Sequence, residues 1–97
     1  MSILPEKIKQ GEYLCFLDGN TQIGGAIYWN RDEKDNKIFW TSCFWLFQDS
    51  RNVKVEFYNV KDSLLKIIGM VPKATLDISH NLIIGKELLG SIRIICI

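Results

Sequence analysis

A single histidine, His80, limits the acid-base and metal chemistry that this chain could perform. Catalysis by paired imidazoles and metal sites built from several histidines both need more than one histidine, so they are excluded. His80 could still join a cysteine and an aspartate in a nucleophilic triad, because triads are recognised by geometry and not by sequence order. It lies beside Asn81 at the end of a predicted strand, however, which is typical of an ordinary histidine. We therefore expect no catalytic residue and no enzyme activity.

Carboxylates are concentrated in the polar stretch 31–37, where Asp32, Glu33 and Asp35 fall within four positions. The stretch lacks the spaced ligands, the central glycine and the distal glutamate of a calcium loop, so we expect no metal site. Because its five successive charges are costly to bury, it is predicted to be a solvated loop between two strands. Clustered charges steer association. We therefore predict that Asp32, Glu33 and Asp35 form a binding site for a protein partner, such as a basic toxin or enzyme.

Aromatic side chains support an alternative function. Trp29 and Tyr58, with Lys54 nearby in the sequence, could form a platform on which bases or sugars stack. Most large aromatic residues of so small a domain must fill its core, which favours a structural role for them. The alternative is thus a nucleic-acid- or carbohydrate-binding domain, either an oligonucleotide-binding barrel or a sugar-binding sandwich, with Lys54, Tyr58 and Trp29 as its ligand-binding residues.

The three cysteines, Cys15, Cys43 and Cys96, lie among apolar neighbours, show no metal-ligand spacing and cannot all pair within one chain. We expect them to be buried, reduced thiols of a cytoplasmic protein. The amino terminus has no basic start followed by an apolar segment, so no secretory signal is expected. No glycine-rich nucleotide motif is present either, and we expect no cofactor.

Twelve basic and eleven acidic residues leave a formal charge of +1. This balance argues against strong, sequence-independent binding to nucleic acid, which needs a basic surplus. The longest apolar stretch, 38–47, is too short to span a bilayer, so no membrane association is expected. With 97 residues, of which 47% are hydrophobic and 24% charged, the chain is predicted to be one globular domain over 1–97.

The alternation of apolar and polar residues predicts a mostly β domain. An apolar run over 13–17, the turn residues 18–21 and the return segment 22–30 indicate a hairpin, in which Gly24 and Gly25 mark a bulge or a close backbone approach. The stretch 38–47 is apolar on both alternating sets and is predicted to be a central strand. Further strands are predicted at 53–60, 74–80, 82–84 and 91–97.

The stretch 62–69 is ambiguous, because Asp62 could cap a short helix that ends near Gly69, whereas 64–71 also has the composition of a strand before Pro72. We favour the strand. Seven or eight short strands at turn spacings of about 8 to 12 residues predict an all-β fold, either an antiparallel β-sandwich or a small barrel.

These expectations together indicate a small cytosolic protein-binding module. In size and composition the chain resembles small bacterial immunity proteins, which implies an inhibitor that blocks a toxin or enzyme by direct binding. Nucleic acid is a less favoured partner because of the charge balance. The protein is expected to be a monomer, or a homodimer if an exposed strand edge pairs two copies.

Overall fold

The computed structural model describes residues 3–47 and 49–95, and these residues form an all-β domain without a helix. The strands are β1 (Tyr13–Asp18), β2 (Thr21–Asp32), β3 (Lys37–Ser42), β4 (Arg51–Tyr58), β5 (Leu64–Leu76), β6 (Asn81–Ile84) and β7 (Glu87–Ile94). The predicted all-β class with seven strands is therefore confirmed.

The seven strands close into a small barrel in the order β1-β2-β3-β7-β6-β5-β4. The chain runs through two meanders, β1 to β3 and β4 to β7, which meet at an antiparallel β1–β4 pair and a parallel β3–β7 pair. Strand direction cannot alternate all the way around a closed ring with an odd number of members, so one pair must be parallel. The barrel confirms one of the two predicted architectures, and its β3–β7 pair is parallel.

The interior of the barrel is filled by side chains that alternate along each strand, as the pleat requires. In β4, Val53, Val55 and Phe57 point inward, whereas Lys54, Glu56 and Tyr58 point outward, as the sequence pattern predicts. The largest fully buried side chains are Trp40, Phe16, Leu14, Leu82, Val53 and Val55. This packed core leaves the functional surfaces to the outer faces and to the two ends of the barrel.

Only the first half of the predicted central strand 38–47 is a strand, because β3 ends at Ser42. The buried Ser42 hydroxyl donates to the Phe44 carbonyl oxygen at 3.0 Å and accepts the Phe44 amide at 3.3 Å, which turns the chain out of the ladder. Trp45 then bridges to Gly24 of β2. A Cβ at Gly24 would lie 3.1 Å from both the Trp45 and the Phe47 rings, so the predicted close approach is confirmed there.

The ambiguous stretch 62–69 is a turn followed by the start of β5, and the helical alternative is wrong. β5 also continues past Pro72 to Leu76, so the predicted strand 74–80 is cut short. The second half of that predicted strand, residues 77–80, is the β5–β6 turn. In this turn the Asp77 carboxylate accepts the amides of Ser79 and Asn81 at 2.9 Å each. β7 ends at Ile94, and residues 96–97 of the last predicted strand lie outside the described residues.

Strand directions place three turns at one end of the barrel. Because β1 pairs antiparallel with both β2 and β4, the β2–β3 turn (33–36) and the β4–β5 turn (59–63) project at the same end. The β6–β7 turn (85–86) joins them, since β7 runs parallel to β3. The residues predicted to bind a partner therefore stand at the same end of the barrel as the start of β5.

Candidate functional site

His80 and the acidic and cysteine side chains of the described residues do not assemble into a metal centre. No group of three or more histidine, cysteine, aspartate or glutamate side chains within 3–47 and 49–95 could hold a metal ion. His80 is exposed in the β5–β6 turn with a left-handed φ of 61°, and its amide donates to the Asp77 carbonyl oxygen at 2.9 Å. The Asp77 carboxylate accepts the backbone amides of Ser79 and Asn81 in the same turn. The hydrogen bond from the Asn81 amide is the largest cause that lowers the pKa of Asp77. The proximity of His80 and Asp77 is therefore explained by the geometry of the turn.

The acidic residues of the predicted partner site all lie in or beside the β2–β3 turn. Asp32 is the last residue of β2 and its Oδ1 accepts the Lys34 amide at 2.9 Å, which shapes the turn. Glu33 and Asp35 are exposed. The structure thus brings the three carboxylates together on one solvated turn, in agreement with the predicted loop.

A cavity of about 530 Å³ opens beneath this turn at the end of the barrel. Asp35, Arg31 and Glu87 line it together with apolar residues that include Leu89. Arg31 pairs with the buried Ile38, so its side chain points toward the barrel interior, and its Nε is buried without a hydrogen-bond partner among the described residues. The cavity has both acidic and basic walls, so its charge does not select one class of ligand.

Two of the predicted ligand-binding residues, Lys54 and Tyr58, share the outer face of β4, but their polar atoms already have partners. Lys54 forms an ion pair with Glu56 at 3.5 Å, and the Tyr58 hydroxyl donates to Glu56 at 2.9 Å, which raises the Tyr58 pKa. The Tyr58 ring stacks on Tyr13, with centroids 5.3 Å apart. Burial of Tyr13 is the larger cause, and a 2.7 Å hydrogen bond from its hydroxyl to the Asp62 carboxylate is the next, of a pKa raised to about 12.

The third predicted ligand-binding residue, Trp29, does not join them, because β1 lies between β4 and β2. Tyr28 pairs with Trp40 and Asn30 pairs with Phe39, so Trp29 is the extra residue of a β-bulge. A bulge re-aims the side chain that it carries, and here the indole is 58% exposed. The proposed grouping of Lys54, Tyr58 and Trp29 into one site is therefore corrected to two separate surfaces.

Trp29 borders a groove of about 450 Å³ on the outer face of β2, β3 and β7, hereafter the Trp29 groove. Its lining includes Phe39 and Arg93, neither of which was predicted from the sequence, and the hydrogen-bonding side chains of Asn30, Thr41 and Ser91. These residues come from the β2–β3 hairpin and from β7, which is distant from that hairpin in the sequence. Their proximity depends on the parallel β3–β7 pair, for which the sequence carries no local signal.

The first half of β5 forms an open edge that sequence reasoning also missed. Residues 64–71 pair with β4 on one side, whereas β6 pairs with β5 only from Ala74 to Leu76. The other side of 64–71, hereafter the β5 edge, has no backbone partner within the described parts of the chain. Its exposed apolar side chains are Leu64, Leu65, Ile67 and Met70, and Val60 of the preceding turn extends this surface. The apolar run 64–71 is the sequence signal for this surface, although it does not show how far β6 pairs along β5.

The cysteines differ from one another, contrary to the expectation that all three are buried. Cys15 is buried, and burial, with a smaller contribution from the nearby Glu56 carboxylate, raises its pKa. Cys43 is exposed, because it lies just past the point where the chain leaves β3. Both are free thiols, and Cys96 lies outside the described residues.

No helix that could cross a membrane occurs among residues 3–47 and 49–95. Comparison of the chain with protein-family models, with curated proteins and with solved structures finds no match. Its function must therefore be inferred from the surfaces described above.

Proposed function

We propose that this chain is a protein-binding module that contacts its partner through the β5 edge. The observation that carries the proposal is the coincidence of an unpaired strand edge with exposed apolar side chains over 64–71. Ile67 is 59% exposed and Met70 is 69% exposed, on the outer face beside Glu56 and Lys54 of β4. Monomeric proteins usually protect such edges, and contiguous exposed apolar surface marks interaction sites.

The partner segment that fits this edge is an extended strand. Open backbone groups pair with another backbone, while alternate side chains of the incoming strand meet the apolar side chains of β5. The exposed charges nearest the edge in the sequence are mostly basic, with Lys61, Lys66 and Lys73 against Asp62. We therefore propose a partner segment that combines apolar residues with acidic ones.

An inhibitor or immunity protein that covers a toxin or enzyme is the form of this function that we propose first. Small rigid scaffolds that present a recognition edge and a charged turn suit that role, because little conformational entropy is lost on binding. The acidic turn with Asp32, Glu33 and Asp35 stands at the same end of the barrel as Leu64, and we propose it as a second contact region for a basic part of the partner.

The β5 edge is tested with a display library of 12-residue peptides, selected on the parent protein and followed by affinity measurements on synthetic copies. The proposal predicts selected peptides with alternating apolar residues and an acidic bias. The double variant Ile67→Lys, Met70→Lys should bind them at least about tenfold more weakly, because each apolar side chain contributes about 1.5 to 3 kcal/mol when buried. Ile78→Lys is the matched control, since Ile78 is fully exposed in the β5–β6 turn.

Three outcomes would contradict the proposal for the β5 edge. The library could yield no binding peptide, or the selected peptides could bind the double variant as well as they bind the parent. Sedimentation of the parent as a dimer and of the double variant as a monomer would instead assign the edge to pairing between two copies. The double variant and the Ile78→Lys control should both keep the parent's free energy of unfolding within about 0.5 kcal/mol, as exposed substitutions usually do.

The acidic turn is tested separately by the combined substitutions Asp32→Lys, Glu33→Lys and Asp35→Lys. Once a natural partner has been purified, the variant should associate more slowly than the parent at low salt. The difference should shrink at high salt, because the Debye length falls to about 3 Å at 1 M. Equal association rates of the variant and the parent at low salt would show that the turn is only a solvated loop and not a contact region.

A further inference from the structure

The Trp29 groove lies on a different face of the barrel from the β5 edge, and its lining has a distinct chemistry. The exposed indole of Trp29 and the half-buried ring of Phe39 provide two aromatic surfaces. Arg93 lines the groove from β7, and none of the described residues that line it is acidic. The groove therefore combines aromatic faces with an unopposed positive charge.

A second cation, Lys37, lines the cavity at the end of the barrel but extends over Phe39, which lines the Trp29 groove. The Lys37 Nζ is 5.8 Å from the centroid of the Phe39 ring. Asp32 is opposite Lys37 in the β2–β3 ladder, but its Oδ1 accepts the Lys34 amide, and no ion pair links it to Lys37 in the described structure. Lys37 and Arg93 thus remain available to an anion.

The Trp29 side chain is held out of the core by the backbone. Its neighbour Tyr28 occupies the inward position, with its ring edge-on to Trp40 at 6.0 Å. Trp29 itself makes no ring contact and no hydrogen bond with residues 3–47 or 49–95. An indole that is directed outward by a bulge, is 58% exposed and makes no ring contact with the described residues is available for stacking on a ligand.

We propose that the Trp29 groove binds single-stranded nucleic acid, with bases stacked on Trp29 and Phe39 and backbone phosphates held by Arg93 and Lys37. Stacking of bases on aromatic side chains in a positively charged groove is the general basis of single-strand recognition. Asn30 and Thr41, which have no side-chain hydrogen bond within the described residues, face the same groove and can bind base or sugar edges. None of the described residues that line the groove is acidic, and Arg93 in the groove together with Lys37 beside Phe39 favours a polyanion over a neutral oligosaccharide.

Two phosphate contacts make the expected binding modest, which agrees with the near-neutral charge of the chain. For single strands the slope of log affinity against log salt concentration is about −0.7 per neutralised phosphate, hence about −1.4 for Arg93 and Lys37 together. Affinity should therefore fall about sevenfold between 50 mM and 200 mM salt. This proposal and the proposed function depend on different residues, so either can fail without the other.

Fluorescence anisotropy with labelled ten-nucleotide oligothymidylate and oligouridylate tests the proposal on the intact chain. Trp29→Ala should weaken binding about 5- to 150-fold, the range observed when one stacking side chain is removed, and Trp29→Phe should retain most of the affinity. Arg93→Gln should reduce the salt slope to about −0.7. The matched controls, Phe44→Ala and Lys66→Gln, remove an aromatic ring and a positive charge outside the groove.

The expected result is oligonucleotide binding at 50 mM salt that depends on Trp29 and Arg93 and is unchanged in both controls. Absence of binding at that salt concentration, or equal binding by Trp29→Ala with its fold intact by circular dichroism, would overturn the proposal. Binding of a neutral hexasaccharide that depends on Trp29 but not on salt would also overturn it, and would assign the groove to carbohydrate instead.

Discussion

Gly90 of β7 lies where the backbone allows almost no side chain, and its replacement by alanine is the sharpest test of the packing between β7 and β3. Gly90 has a φ of +134°, a conformation that residues with a Cβ rarely adopt. A Cβ there would lie 2.2 Å from the Ile38 carbonyl oxygen and 2.8 Å from the Trp40 Nε1. That nitrogen donates to the Leu89 carbonyl oxygen at 2.9 Å, inside the core.

Three costs add up when Gly90 is replaced by alanine. The unfavourable φ costs about 1 to 3 kcal/mol, and forcing an extra methyl group into a packed core costs about the same again. Loss of the hydrogen bond from Trp40 to Leu89 adds about 0.5 to 1.5 kcal/mol. The total is about 2.5 to 7.5 kcal/mol, which is a large part of the roughly 5 to 15 kcal/mol typical of a whole domain.

Urea unfolding followed by tryptophan fluorescence measures the effect of Gly90→Ala. Gly19→Ala is the matched control, because Gly19 has a φ of +62° but no atom within 4 Å of the position that a methyl group would take. That control should lose only about 1 to 2 kcal/mol. Gly90→Ala should unfold at a much lower urea concentration or fail to fold. A loss no larger than that of Gly19→Ala would refute the close approach of β7 to β3.

Two further predictions concern the thiols and the tyrosines. In a Cys96→Ser background, a thiol reagent should label the exposed Cys43 rapidly in the native protein and the buried Cys15 slowly, and equal rates would contradict the burial of Cys15. Tyr13 has a pKa of about 12 in the folded chain, against about 10 in an unfolded one. The contribution of Tyr13 to stability should therefore be fully present and independent of pH below about pH 10, and it should be lost as the pH rises from about 10 towards 12. Asp62→Asn should lower the Tyr13 transition in an ultraviolet absorbance titration, and an unchanged transition would show that the hydrogen bond does not contribute.

Local patterns in the sequence determined the strands and much of the core. The alternation of Val53, Val55 and Phe57 with polar residues predicted which face of β4 is buried, because side chains of a strand alternate between its two faces. The turn chemistry of 18–21 and the charge density of 31–37 predicted two hairpins, since glycine, asparagine and adjacent charges are stable in solvated turns. The presence of one histidine similarly restricted the chemistry that the chain could perform.

Only the tertiary structure decided which surfaces those strands present. The Trp29 groove joins residues from β2, β3 and β7, and it exists because a ring of seven strands must close with one parallel pair. The β5 edge is open because β6 is short and pairs with only three residues of β5, and the composition of 64–71 does not reveal such a pairing length. Exposure of Cys43 likewise follows from the departure of the chain at Ser42. Periodicity indicates which side chains share a face of their own strand. Barrel closure and register determine the neighbours of a residue across strands, and those contacts form the candidate sites.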